Sequence, residues 1–110
     1  MRAQRPLALI ASTAASLLLS TPAAAAPQTH VVVIDKMKFG SVPANIRRGD
    51  TILWVNRDIV RHTATAANKS FDVDLPPKTR KRMTVRASGS IGFICKYHPG
   101  MRGMLRVAAR

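Results

Sequence analysis

The 110-residue chain has one cysteine, Cys95, so it cannot close an internal disulfide. It has five acidic residues against 18 lysines and arginines. The acids are scattered; no paired carboxylates and no Ser/His/Asp set stand together, so the sequence gives no support to hydrolytic or acid–base catalysis. Aromatics make up 5% of the chain, with no ladder and no nucleic-acid recognition motif. The basic character therefore does not read as a nucleic-acid-binding module. There is no convincing amphipathic helix, which removes the helical fold classes. The longest apolar stretch, Leu7 to Leu19, is short for a membrane span and rich in small residues.

That stretch has a different reading. Arg2 and Arg5 precede it, and Thr21-Pro22-Ala23-Ala24-Ala25-Ala26 follows it. Charge, apolar run and small-residue tail in that order are the marks of a secretory signal peptide. Residues 1–26 are therefore expected to be the signal, cut near residues 24–26, with residues 27–110 forming a single domain. The expected destination is a bacterial periplasm. About 85 residues remain, enough for one modest core. They hold sixteen basic and five acidic residues, a net charge of +11. Charge of that size bears on partners and association rates rather than on fold. In an exported chain a lone cysteine is an intermolecular bridge, a free thiol or a metal ligand. An oxidising compartment puts an unprotected thiol at risk, which favours the ligand.

The mature region reads as short strands. His30 to Asp35 is a β-branched run, with His30 at its mouth read as a surface histidine. Lys36 to Gly40 alternates, with Met37 and Phe39 on one face, as in a half-buried strand. Gly49-Asp50 is a turn signal ahead of Thr51 to Asn56, the clearest strand, whose Trp54 reads as a packing residue. Thr63 to Ala66, Phe71 to Leu75, Arg80 to Arg86, Ile91 to Cys95 and Met104 to Ala108 complete the set. Short strands at near-regular spacing, punctuated by Gly and Pro, predict an all-β sandwich.

Near the C-terminus, Cys95-Lys96-Tyr97-His98-Pro99-Gly100-Met101 packs a thiol, an imidazole and a thioether into seven residues. On a continuing strand Cys95 and His98 would point to opposite faces. Pro99-Gly100 demands a turn instead, so Cys95, His98 and Met101 can curl around one point. Soft ligands of this kind favour copper, and two imidazoles, one thiolate and a weak axial thioether make the blue-copper arrangement. His62, after Trp54-Val55-Asn56, is the best candidate for the second imidazole. Met104 lies where the chain re-enters the sheet and reads as core. Zinc structural sites use more cysteine and histidine and little methionine.

The Cys-x-x-His-x-x-Met spacing with an upstream Trp-Val-Asn…His resembles the cupredoxin family, most of all its amicyanin-type branch, over roughly residues 31–110. The resemblance implies a Greek-key β-sandwich binding one type 1 copper through His62, Cys95, His98 and Met101. It implies that His62 lies deep and that His98 shows its ring edge at the surface, where electrons would enter and leave, with Pro99 and Met101 in the apolar patch around it. Asn56 matches the family's asparagine before the first histidine, expected to hydrogen-bond across to the ligand loop. Many cupredoxins have Asn directly after that histidine; here it is Thr63, whose hydroxyl could replace part of the bridge.

The expected function is a periplasmic carrier of single electrons, not an enzyme. Its ligand set leaves no obvious open position for a substrate. Redox proteins with acidic surfaces are the expected partners of a monomer, and the resemblance allows a dehydrogenase donor and a c-type cytochrome acceptor. Two other readings stand beside it. One is a copper carrier or storage module that delivers metal, the other a basic exported module that binds anionic surfaces.

Overall fold

The computed structural model describes residues 2–19 and 26–110. Residues 2–19 carry no regular secondary structure. No helix among the described residues is long and apolar enough to cross a membrane. Of the expected cleavage region, residues 24 and 25 lie outside the described residues.

Nine strands follow among the described residues: β1 Thr29–Asp35, β2 Lys38–Phe39, β3 Ile46–Arg47, β4 Thr51–Asn56, β5 His62–Ala66, β6 Asp72–Leu75, β7 Arg80–Thr84, β8 Gly89–Ile94 and β9 Arg102–Ala108. One sheet has the order β2-β1-β4-β7 and the other β3-β9-β8-β5-β6. The β1–β4 and β3–β9 pairs are parallel and the remaining pairs antiparallel. The expected all-β sandwich is the observed architecture.

Alternation builds the core. In β1 and β4, Val32, Ile34, Ile52 and Trp54 turn inward and are fully buried. They meet Ile91, Phe93, Leu105 and Val107 of the second sheet in one cluster. Trp54 packs edge-on to Phe93 with ring centroids 5.2 Å apart, and Phe39 meets Phe93 at 4.8 Å. Such edge-to-face pairs add to area burial. Phe93 lies opposite Gly103. A Cβ at residue 103 would come within 2.7 Å of Phe93 Cε2, so the glycine leaves the room that the ring fills.

Three local expectations are corrected. Lys36 and Met37 are not strand residues. Both have positive φ (51° and 61°) and form the two-residue turn joining β1 to β2, with Met37 42% exposed. Two successive positive-φ residues make the type I′ turn, whose twist matches the flanking strands. Met104 is not core; it is 41% exposed, because Leu105 and Val107 take the inward positions of β9.

His30 is not on the surface. It is 8% exposed, and its Nε2 lies 2.9 Å from Asp50 Oδ2. Asp50 also accepts the amides of Gln28 (3.0 Å) and Arg47 (2.9 Å) and faces the Arg110 guanidinium at 3.3 Å. This cluster ties the N-terminal entrance of β1 to the 47–50 turn. Burial works to raise the Asp50 carboxyl pKa, but the bonds from Gln28, His30 and Arg47 outweigh it and hold it well below 3.8. The stability contributed is therefore complete above about pH 4 and is lost as pH falls toward the folded-state value. D50N is expected to cost about 3 kcal/mol at neutral pH, because it breaks a buried pair. It should also flatten the acid limb of a urea-midpoint profile; a limb as steep as that of the unaltered protein contradicts the assignment.

Candidate metal centre

The end of the sandwich opposite the His30–Asp50 cluster gathers the exits of β1, β4 and β8 and the starts of β5 and β9. His62 opens β5 and is fully buried. Cys95 stands one residue beyond β8 and is also fully buried, while His98 is half-buried. The 95–101 loop closes on itself. Gly100 N and Met101 N donate to His98 O at 2.9 and 3.0 Å, and Cys95 N donates to Met101 O at 3.1 Å. The turn expected at Pro99-Gly100 therefore brings Cys95 and His98 to one point.

His62, Cys95 and His98 form a group whose ligand atoms all lie within 4.8 Å of one another. His62 Nδ1 is 3.2 Å from His98 Nδ1, and Cys95 Sγ is 3.7 Å from the first and 3.5 Å from the second. A point equidistant from these three atoms lies about 2 Å from each, the length of a metal–imidazole bond. Two imidazole nitrogens and a sulfur converging at that spacing fit a trigonal metal, and the soft sulfur suits copper.

The surroundings hold these groups in place. Thr63 N donates to Cys95 Sγ at 3.4 Å. The Thr63 hydroxyl accepts the Lys96 amide at 2.9 Å and lies 2.9 Å from Thr65 Oγ1, which donates to Asp72 Oδ1 at 2.8 Å. Because Thr65 gives its proton to the carboxylate, Thr63 must donate to Thr65, so the chain of hydroxyls runs in one direction. Thr63 thus links the start of β5 to the cysteine loop. The Asp72 carboxyl lies below its ordinary range, chiefly through Lys96 and then Thr65.

Asn56 does not reach the 95–101 loop. Its Nδ2 donates to the carbonyls of Val60 (2.9 Å), Leu75 (3.0 Å) and Pro76 (3.2 Å), and its Oδ1 accepts the Asp58 amide at 2.9 Å. It braces the loop that carries His62 instead, because β4 aims it into the gap between that loop and the end of β6.

Met101 is 6% exposed and joins the core cluster, so it adds little to the surface around His98. Exposed apolar side chains at this end include Pro99, Met37, Ile59, Val60, Ile94 and Tyr97. Sequence reasoning missed Asp58. Its Oδ2 lies 2.7 Å from His62 Nε2, and burial of its carboxyl is outweighed by bonds from Met37 N, His62 and Lys36 N that hold its pKa low. The available signal was an acid four residues before the histidine on the same loop.

No protein-family model matches the chain. It is 33% identical over 95 residues to amicyanin of Paracoccus versutus, covering 78% of this chain and 72% of that one. It is 30% identical over 83 residues to amicyanin of Paracoccus denitrificans, covering 70% and 63%. The crystal structure of amicyanin from Paracoccus versutus superposes with a TM-score of 0.60 at 29% identity, over 81% of this chain and 86% of that one. A reduced Cu(I) form of a variant amicyanin superposes at 0.59 with 27% identity, over 73% and 80%. Sandwich topology, converging His-Cys-His donors and these likenesses agree: the chain belongs to the amicyanins, cupredoxins that carry single electrons between redox partners on one type 1 copper and are not enzymes.

Proposed function

We propose that the copper of this chain is held by His62 Nδ1, Cys95 Sγ and His98 Nδ1, with Met101 as the weak axial ligand. The observation that carries this reading is the triangle of donor atoms at 3.2, 3.5 and 3.7 Å. When bound, copper supplies the one-electron couple between Cu(II) and Cu(I). The chain's residues do the rest. The fold itself converges both imidazoles and the thiol on one point, so little rearrangement accompanies electron transfer. The amide of Thr63 donates to the sulfur and stabilises its negative charge. The Thr63 hydroxyl keeps the cysteine loop in register with β5, and Asn56 stiffens the loop that positions His62.

Electrons pass at His98, the half-buried member of the set, with Pro99 and neighbouring apolar side chains forming the contact. Met101 contributes from beneath rather than at the surface. The domain is exported by residues 1–26 and works as a monomer in a bacterial periplasm. Its partners carry acidic surfaces, and a dehydrogenase donor and a c-type cytochrome acceptor fit the family. The charge distribution supports this. Asp50 and Asp58 are bonded inward, and Asp72 and Asp74 are paired with Lys96 and Arg61, so the outward charge is mostly basic.

Axial ligation is tested by two leucine substitutions. M101L is expected to change the copper absorption and EPR spectra and to raise the reduction potential, because a thioether donor is lost. M104L, on the outer face of β9, is expected to leave both unchanged. The opposite pattern would assign the axial role to Met104.

A further inference from the structure

The β1–β2 turn and His62 belong to different sheets, yet one side chain holds both. Asp58 Oδ1 accepts the Lys36 amide at 2.8 Å. Its Oδ2 accepts the Met37 amide at 3.0 Å and faces His62 Nε2 at 2.7 Å. Those two amides belong to the consecutive positive-φ residues of the turn, and successive N–H groups in a turn make a concave cradle for an anion. Asp58 is itself fixed, since its amide donates to Asn56 Oδ1 at 2.9 Å and its carbonyl accepts Lys78 N at 3.1 Å. The side chain is 13% exposed and that of His62 is fully buried, so this contact is shielded from water.

We propose that Asp58 is a positioning residue of the copper site: it keeps a proton on His62 Nε2, thereby presenting the Nδ1 lone pair to the metal, and clamps the β1–β2 turn to the same ligand. The proposal rests on the copper reading above for its electronic consequence, but its protonation claim applies equally to the metal-free protein. An ionised carboxylate only accepts, and its two oxygens serve all three donors. No neutral side chain of this size can do so. In D58N one oxygen must give way to an NH₂ group. If that group faces His62, the imidazole must accept at Nε2 and move its proton to Nδ1, the atom needed for the metal. If it faces Lys36, a turn amide loses its partner. Removing the negative charge also withdraws stabilisation from Cu(II) more than from Cu(I), so the potential should rise.

The experiment has a metal-free and a copper-loaded arm. Long-range ¹H–¹⁵N correlation of the imidazoles in the metal-free protein, at about pH 8 where an ordinary imidazole is neutral, is expected to find His62 protonated at Nε2. Finding it protonated at Nδ1 overturns the proposal without any variant. D58N is expected to shift that tautomer, to speed amide exchange at Lys36 or Met37 at least about tenfold with Leu53 unchanged, and to raise the copper potential. D58E, which keeps the charge, is expected to restore part of the potential. Faster exchange with tautomer and potential both unchanged would make Asp58 a turn cap only and overturn the positioning role. Failure of the unaltered protein to take up copper would sink the copper reading, while the metal-free arm would still decide the role of Asp58.

Discussion

C95S is expected to leave a folded protein that has lost its intense visible absorption and binds copper at least about 100-fold more weakly. Serine is close in size to cysteine, and its oxygen can accept the Thr63 amide that now reaches Cys95 Sγ at 3.4 Å. The fully buried site therefore survives sterically. What changes is the donor. A hydroxyl is hard and neutral where the thiolate is soft and charged, and the charge-transfer transition originates on sulfur. Loss of a group that merely hydrogen-bonds to a ligand costs about 10–100-fold in affinity, so a directly bound sulfur should cost more. Absorption and competition titration against a Cu(I) chelator measure both effects. A variant that keeps the visible band would exclude Cys95 as the copper thiolate.

Copper itself is expected to be a large part of the stability of the folded domain. A ligand that binds only the folded state at a thousandfold excess over its dissociation constant contributes about 4 kcal/mol. For a domain of this size each kcal/mol moves the melting temperature by about 4–8 °C. Stripping the metal should therefore lower it by about 15 °C or more. The donors explain why the effect belongs to folding: His62 and Cys95 are 33 residues apart in sequence. Metal at that point joins the start of β5 to the loop between β8 and β9, a contact the unfolded chain lacks. Calorimetry of loaded and chelator-treated protein gives the difference, and equal melting temperatures would contradict a site completed in the native state.

How far the sequence could be read depends on which interactions are local. Strand positions follow from alternation, and Thr51 to Asn56 was legible to the residue because its inward Ile52 and Trp54 alternate with half-buried neighbours. The metal loop was legible because Pro99-Gly100 forces a turn inside a tight run of donors. The β1–β2 turn was not, since Lys36 and Met37 lack the Gly or Asn that usually announces positive φ; the Asp58 carboxylate stabilises it from 21 and 22 residues away. The burial of His30 was hidden for the same reason, its partner Asp50 being 20 residues on. Met104 is different. The alternation of Leu105 and Val107 already placed it outward, and the signal was present in the strand period. Resemblance assigned Asn56 a bond across to the ligand loop, whereas the gap it fills between Val60 and Leu75 is a matter of tertiary packing.

The central claim is that two imidazoles and one thiolate hold a single copper that cycles by one electron without leaving. The most direct test is visible and EPR spectroscopy of the protein after addition of Cu(II), followed by voltammetry on the same sample. The account predicts an intense blue thiolate-to-copper band, a narrow copper hyperfine splitting and reversible one-electron cycling. A pale spectrum with wide splitting, or copper lost on reduction, would contradict it.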